Sequence, residues 1–185
     1  MSIESIKHRI PDYARDLRIN LGNVLDPERA EGMTTEQLYA TALATAIASR
    51  NSELVASLEA AAAEVLDESW LNAARAAAAI MGMNNIYYRF IHLASNEEYA
   101  RMPARLRMNV IGNPGIDKAD FELLSLAVSA VNGCGMCIDS HEKVLKNAGV
   151  GSAVIQHAVR IASVMHAVAT VLDAEQASAA ARAAA

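Results

Sequence analysis

Cysteine and aromatic side chains are scarce in this chain. Its 185 residues contain two Cys, one Trp, five Tyr and two Phe, and aromatics make up 4%. Basic residues are also in deficit: 16 Lys and Arg against 21 Asp and Glu give 16 − 21 = −5. That balance argues against an electrostatic grip on nucleic acid or an anionic membrane. The first ten residues, Met1 to Ile10, hold no apolar core of a secretory signal. The longest mostly apolar stretch, Leu123 to Ile138, is interrupted by Ser125, Ser129 and Asn132 and is too short to span a bilayer. No segment alternates with period two over any length, so no sheet is expected. No glycine-rich phosphate loop is found either, so the chain is not expected to bind NADH itself. These absences lead us to expect a cytosolic protein, in which a purely structural disulfide is out of place.

What is present is alanine and helical periodicity. Hydrophobic residues reach 53% with almost no aromatics, a composition that favours closely packed helices. We expect an all-α, single-domain helical bundle over residues 1–173, followed by an alanine-rich tail over 174–185 that is a fraying helix without chemistry. Pro11 can start a helix reaching about Leu25, with Leu17, Leu21 and Leu25 on one face. Thr34 or Thr35 can cap a helix from Glu36 to Ser49, Asn51 or Ser52 one reaching Val65, and Asp67 one from Glu68 to Met81. Asn84 to Phe90 either continues that last helix or begins another. Asn113-Pro114-Gly115 is a turn. Asp117 or Asp120 starts a helix to about Val131, broken by Asn132-Gly133. A helix from Cys134 to Asn147 ends at Gly149, and Gly151 or Ser152 opens a long one to Leu172.

Both cysteines lie in one run, Cys134-Gly135-Met136-Cys137-Ile138-Asp139-Ser140-His141. On a helix, positions i, i+3 and i+7 share a face, so two thiols and an imidazole meet on one patch. Thiolate is the reactive form, and a free cysteine with a pKa near ~8.5 is mostly protonated at neutral pH. Two features favour ionisation, and they nominate different residues. Cys134 sits at the helix N-terminus, where unpaired N–H groups attract negative charge. Cys137 lies one turn before His141, a neighbouring base. Cleaving a peroxide also needs a proton for the departing alkoxide. We therefore expect Cys137 to attack and form the sulfenic acid, and Cys134 to donate the proton and then resolve the sulfenate as a disulfide.

Glu122, Ser125, Ser129 and Asn132 form a polar stripe on the preceding helix. Spacing alone reads this as a solvated face. A sharper reading folds that helix back on the cysteine helix through Asn132-Gly133, so that Glu122 orients His141 as the third member of a triad. Zinc bound by Cys134, Cys137, His141 and Glu122 is an alternative, although the second Cys/His pair of structural zinc sites is missing. Two inert buried cysteines are another alternative. A thioredoxin fold lacks its βαβ pattern. His8 is expected at the surface, His92 partly exposed, and His157 and His166 in a core or interface. Met81-Gly82-Met83 and Tyr87-Tyr88 read as core or as an interface between protomers.

Glu122 followed after eleven residues by Cys134-x-x-Cys137-x-x-x-His141 resembles the alkyl hydroperoxidase D family. The likeness extends to Met1 to Glu4, Pro11 to Ala14, Ile80 to Asn85, Leu106 to Asn109 and Asn113 to Gly115, nearly the full chain outside the tail. The resemblance implies the all-helical fold shared with carboxymuconolactone decarboxylases, assembled as a trimer or its multiples. It implies reduction of organic hydroperoxides, with no bound cofactor. Electrons would come from a dihydrolipoyl group on a carrier protein, recharged by NADH through dihydrolipoamide dehydrogenase. It also implies re-reduction of a partner peroxiredoxin, the peroxiredoxin component of alkyl hydroperoxide reductase. By position, Cys137 is the sulfenic acid-forming residue, Cys134 the proton donor, and Glu122 and His141 the relay. Some members carry a second histidine between the cysteines. Here the residue is Met136, which moves no proton. That substitution favours a rival reading, a thiol-disulfide reductase for a peroxiredoxin with little direct peroxidase activity. Further rivals are a zinc-stabilised non-enzymatic scaffold and, remotely, a decarboxylase on the shared fold.

Overall fold

Side-chain caps set half of the helix starts. The computed structural model describes residues 2–184, which form ten α-helices and no strand. Thr34 opens α3 (Thr35–Ser49) with a reciprocal capping box to Gln37. Asn51 caps α4 (Ser52–Ala63), Asp67 caps α5 (Glu68–Leu93), and Asp117, rather than Asp120, caps α8 (Lys118–Asn132). α9 spans Gly135–Asn147 and α10 Ser152–Ala183.

The amino terminus departs from expectation. Ser2 and Ser5 form a capping box that starts a helix ahead of Pro11, α1 (Ile3–Arg9), whose Ile6 is fully buried. The residue before a proline is pushed out of helical geometry, and Ile10 is extended. Pro11 therefore leads only a 3-10 turn (Asp12–Ala14), and α2 begins at Arg15 and runs to Val24. Two further short helices, α6 (Glu98–Arg101) and α7 (Asn109–Gly112), punctuate the connection between α5 and α8. Asn84 to Phe90 continues α5 without a break, because Gly82 keeps helical geometry. α10 likewise passes residue 174 uninterrupted and carries most of the tail as exposed helix; Met1 and Ala185 lie outside the described residues.

The core is built around α3, which packs on α4, α5, α8 and α10. Seven consecutive residues, Ala40 to Ala46, are buried, so this helix has no solvent face. Alanine and threonine leave little side-chain volume between the axes, which lets three long helices approach it closely. Thr45 returns its hydroxyl to the Thr41 carbonyl at 2.7 Å, so that buried hydroxyl is satisfied within the helix. α10 is by length and composition apolar enough to cross a membrane, but half of its most apolar window is buried against the other helices. Its buried positions Ile155, Ala158, Ala162, Met165, Ala169 and Leu172 recur at the spacing of a core-facing stripe.

Asn51, 3% exposed, links two of these elements. Its Oδ1 accepts the Leu54 N–H at 2.8 Å, and its Nδ2 donates to Asp173 on α10 at 2.7 Å. Asn51→Ala removes cap and tie together and should cost about 1–2 kcal/mol in urea unfolding. A second expectation concerns pH. Burial of Asp120, reinforced by the charges of Asp117 and Glu36 and opposed by a 2.6 Å hydrogen bond from Gln37, raises its pKa above the ordinary 3.8. The folded state then holds the proton to higher pH than the unfolded chain. Its contribution is therefore full below 3.8 and is lost as pH rises through the raised value. Asp120→Asn keeps the acceptor for Gln37 and removes the charge. Its melting temperature should exceed that of the unsubstituted protein at pH 7, with the gap closing as the pH is lowered towards 4.

Candidate functional site

The cysteine run is presented by a tight reversal between α8 and α9. Gly133 adopts φ 69°, a left-handed conformation that glycine takes without side-chain strain. Its N–H bonds to the Ala130 carbonyl at 3.2 Å, and the Cys134 N–H bonds to that of Ser129 at 3.1 Å. These two bonds end α8 as a Schellman turn and leave Cys134 as the extended N-cap of α9.

A network from α5 holds the turn. Asn85, 1% exposed, donates to Ser129 Oγ at 2.9 Å and accepts from Asn132 Nδ2 at 2.9 Å. Arg89, one turn on, donates to the Asn132 carbonyl at 2.6 Å. Ser125 and Ser129 are buried, so the polar stripe of α8 is not the solvated face that spacing suggests. It is a seam along which Ser129 and Asn132 meet Asn85 of α5 and Glu122 meets His141 of α9.

Cys134 and Cys137 are joined by a disulfide, with Cα atoms 5.3 Å apart. Both sulfurs are thereby bonded to each other in this state. The pair is asymmetric. Cys134 is fully buried, whereas Cys137 is 7% exposed and opens on a cleft of about 310 Å³. Cys137 is also the third residue of α9. The favourable field of a helix start, expected for Cys134, thus reaches the first turn that holds Cys137 as well.

His141 lies one turn beyond Cys137 and lines the same cleft. Its Nδ1 meets Glu122 Oε2 at 2.5 Å, with both side chains largely buried. Because a carboxylate only accepts, Nδ1 carries the hydrogen, and in the neutral ring Nε2 is the basic nitrogen. All four residues singled out in the sequence therefore converge, and Glu122 stands behind His141 as the fold-back reading requires. Met136 lines the cleft too, as do Met81 and Tyr88, whose sequence context suggests core or an interface between protomers. Asn84 on α5 and Met108 and Ile111 on the α5–α8 connection complete it, and the sequence reading does not single them out. The one signal for Asn84 and Asn85 is an amide pair inside an apolar helical stretch. The other histidines are remote: His8, His92 and His166 are exposed, and His157 is buried with Nε2 on the Val24 carbonyl at 3.2 Å.

The carboxymuconolactone decarboxylase family model matches residues 97–182. An alkyl hydroperoxide reductase AhpD of Rhodopseudomonas palustris (strain BisA53) is 61% identical over 178 residues, 96% of this chain and 97% of that protein. The chain belongs to the AhpD family. Relatives of the same name from Rhodospirillum centenum and Brucella anthropi are 57% and 56% identical and cover 96% and 94% of the chain. α8, α9 and α10, apart from the end of α10, fall inside the matched family region.

The α5 network gives a prediction. Asn85→Leu strands the Ser129 hydroxyl and the Asn132 amide at a buried seam. It should cost about 2–4 kcal/mol in urea unfolding of the oxidised protein.

Proposed function

We propose that the protein is a peroxide-reducing oxidoreductase that turns over organic hydroperoxides through its cysteine pair. The observation that carries this reading is a disulfide with one sulfur sealed and the other open on a cleft shared with a Glu-supported histidine. The names of relatives 56–61% identical, alkyl hydroperoxide reductase AhpD, support the same chemistry.

In the reduced protein His141 Nε2 draws the proton from Cys137, and Glu122 holds the ring and balances the charge. The Cys137 thiolate attacks the distal hydroperoxide oxygen. A sulfur–oxygen bond forms, the O–O bond breaks, and the sulfur is oxidised to sulfenic acid. The alkoxide takes the proton of Cys134 and leaves as alcohol. Cys134, now thiolate, attacks the sulfenic sulfur. Water leaves with the proton held at His141, and the disulfide state described above results. A dithiol then returns two electrons through a mixed disulfide. We assign this to a dihydrolipoyl group on a carrier protein, recharged by NADH through dihydrolipoamide dehydrogenase. The same dithiol chemistry would re-reduce the partner peroxiredoxin, the peroxiredoxin component of alkyl hydroperoxide reductase. The exposed apolar side chains Ile86, Phe90 and Leu93 on α5, with Tyr99 and Met102 beyond it, support self-association, and the family resemblance makes a homotrimer the expected assembly. We place the protein in the cytoplasm.

Met136 in the cleft wall keeps a second reading in view, a disulfide reductase for the peroxiredoxin with little peroxidase activity of its own. Stopped-flow mixing of the reduced protein with an alkyl hydroperoxide alone separates the two. Prompt oxidation of both cysteines supports the peroxidase, and persistence of free thiols supports the reductase. Cys137→Ser should lower hydroperoxide turnover at least a hundredfold, as loss of a nucleophile does. Full turnover in that variant would remove Cys137 as the attacking residue.

A further inference from the structure

Two adjacent amides sit in the middle of α5, and the protein uses only one of them. Asn85 is satisfied on both sides by Ser129 and Asn132. Asn84 is 5% exposed, and its Oδ1 is buried with no hydrogen-bond partner. Asn84 lines the redox cleft together with Cys137, His141 and Glu122. A leucine or alanine would favour the helix more and would not lose solvation at that position. An amide held there without a protein partner keeps its hydrogen-bonding capacity uncommitted, and a turn about its χ2 brings the sealed oxygen to a molecule in the cleft.

The rest of the wall narrows what that is. Met81, Met108, Ile111, Met136 and Val144 offer an apolar surface. His141 and Glu122 are engaged with each other, and Ser140 is exposed. Asn84 is the most deeply buried uncommitted polar group of the cleft. A carboxamide both accepts and donates, and a hydroperoxide group does the same: its terminal O–H donates and both oxygens accept. A thiol is a weak partner on both counts, so the dithiol reductant has little use for such an amide.

We infer that Asn84 is the substrate-binding residue that anchors the peroxide group of an organic hydroperoxide for attack by Cys137. Its Oδ1 accepts from the terminal O–H, and an Nδ2–H donates to the inner oxygen. As the O–O bond breaks, that oxygen gains the negative charge, so the N–H contact strengthens along the reaction. The organic group lies against the methionine and aliphatic wall. The inference rests on the peroxidase reading and adds to it the residue that holds the substrate.

The test separates the two half-reactions. Reduced protein is mixed with cumene hydroperoxide, and oxidised protein with dihydrolipoamide, with free thiol followed in each. Asn84→Leu and Asn84→Ala should slow the reaction with cumene hydroperoxide about tenfold or more. Reduction by dihydrolipoamide should stay within about twofold of the unsubstituted protein. Because Asn84 has no protein partner to lose, the melting temperature of Asn84→Leu should equal or exceed that of the parent. Asn84→Asp keeps the shape but, when ionised, has no donor, and should be as slow with the hydroperoxide as Asn84→Leu.

Unchanged peroxide kinetics in both apolar variants would overturn the inference while leaving the peroxidase reading intact. So would slowing confined to dihydrolipoamide, which would assign Asn84 to the reductant, or a lowered melting temperature in both variants with the two half-reactions slowed alike. Failure of the unsubstituted reduced protein to consume cumene hydroperoxide would sink the peroxidase reading itself, and this inference with it.

Discussion

The site depends on one reversal of the chain, the turn at Gly133. Two backbone bonds, from Gly133 to Ala130 and from Cys134 to Ser129, stop α8 and restart the chain as α9 within three residues. That shortness makes α8 and α9 neighbours, and it brings Glu122, near the start of one helix, to His141 in the middle of the other. A longer connection would free the two helices to choose another relative position, and the 2.5 Å contact has no such tolerance. The turn is itself tied to α5 by Asn85 and Arg89, so the two helices that carry the cysteines, the histidine and the carboxylate share one anchor.

The anchor is only as rigid as α5, and here the scarcity of aromatics matters. α3 is enclosed on all sides, with alanine and threonine as its buried surface apart from Leu38 and Leu43, and α5, α8 and α10 pack around it. Small side chains have few or no rotamers to choose among, so the spacing of those helices is determined by backbone contact rather than by side-chain repacking. Three adaptable methionines, Met81, Met108 and Met136, line the cleft, while Met33 and Met165 pack in the core.

Half of the helix starts, those of α1, α3, α4, α5 and α8, are written locally in the sequence, in a Ser, Thr, Asn or Asp whose side chain bonds a nearby N–H. The departures from expectation have physical reasons. α1 escapes a reading by periodicity because its cap, Ser2, opens a segment too short to show any. α10 runs past the expected end at Leu172 because helix propensity alone carries it to Ala183, although the alanines there bury almost nothing. The cysteines and the histidine can be named from spacing, and Glu122 only by folding its helix back on theirs or by the family resemblance. What α8 faces cannot be named from spacing. Periodicity identifies a stripe but not its neighbour, so Ser125 and Ser129 read as solvated although they are sealed. Asn84, Met108 and Ile111 join the cleft only through tertiary packing of elements distant in sequence, and beyond the amide pair at Asn84 and Asn85 no local pattern marks them.

The sealed and open cysteines give the division of labour a structural basis that spacing lacks. Helix position and base proximity pull toward different residues. The structure removes much of that conflict, because Cys134 as N-cap and Cys137 as third residue both lie at the start of α9. Access then becomes the stronger discriminator. A reactant entering the cleft meets Cys137, while Cys134 is reached only through its partner sulfur. On the proposed chemistry this suits both halves of the cycle. The Cys134 thiol of the reduced pair stands next to the attacking sulfur, where its proton is at hand for the departing alkoxide. A buried thiol is also shielded from the external peroxide that would over-oxidise it, so the sulfenic acid forms at Cys137 and is met from within the protein. The orientation of the pair, more than the presence of two cysteines, is what the Gly133 turn supplies.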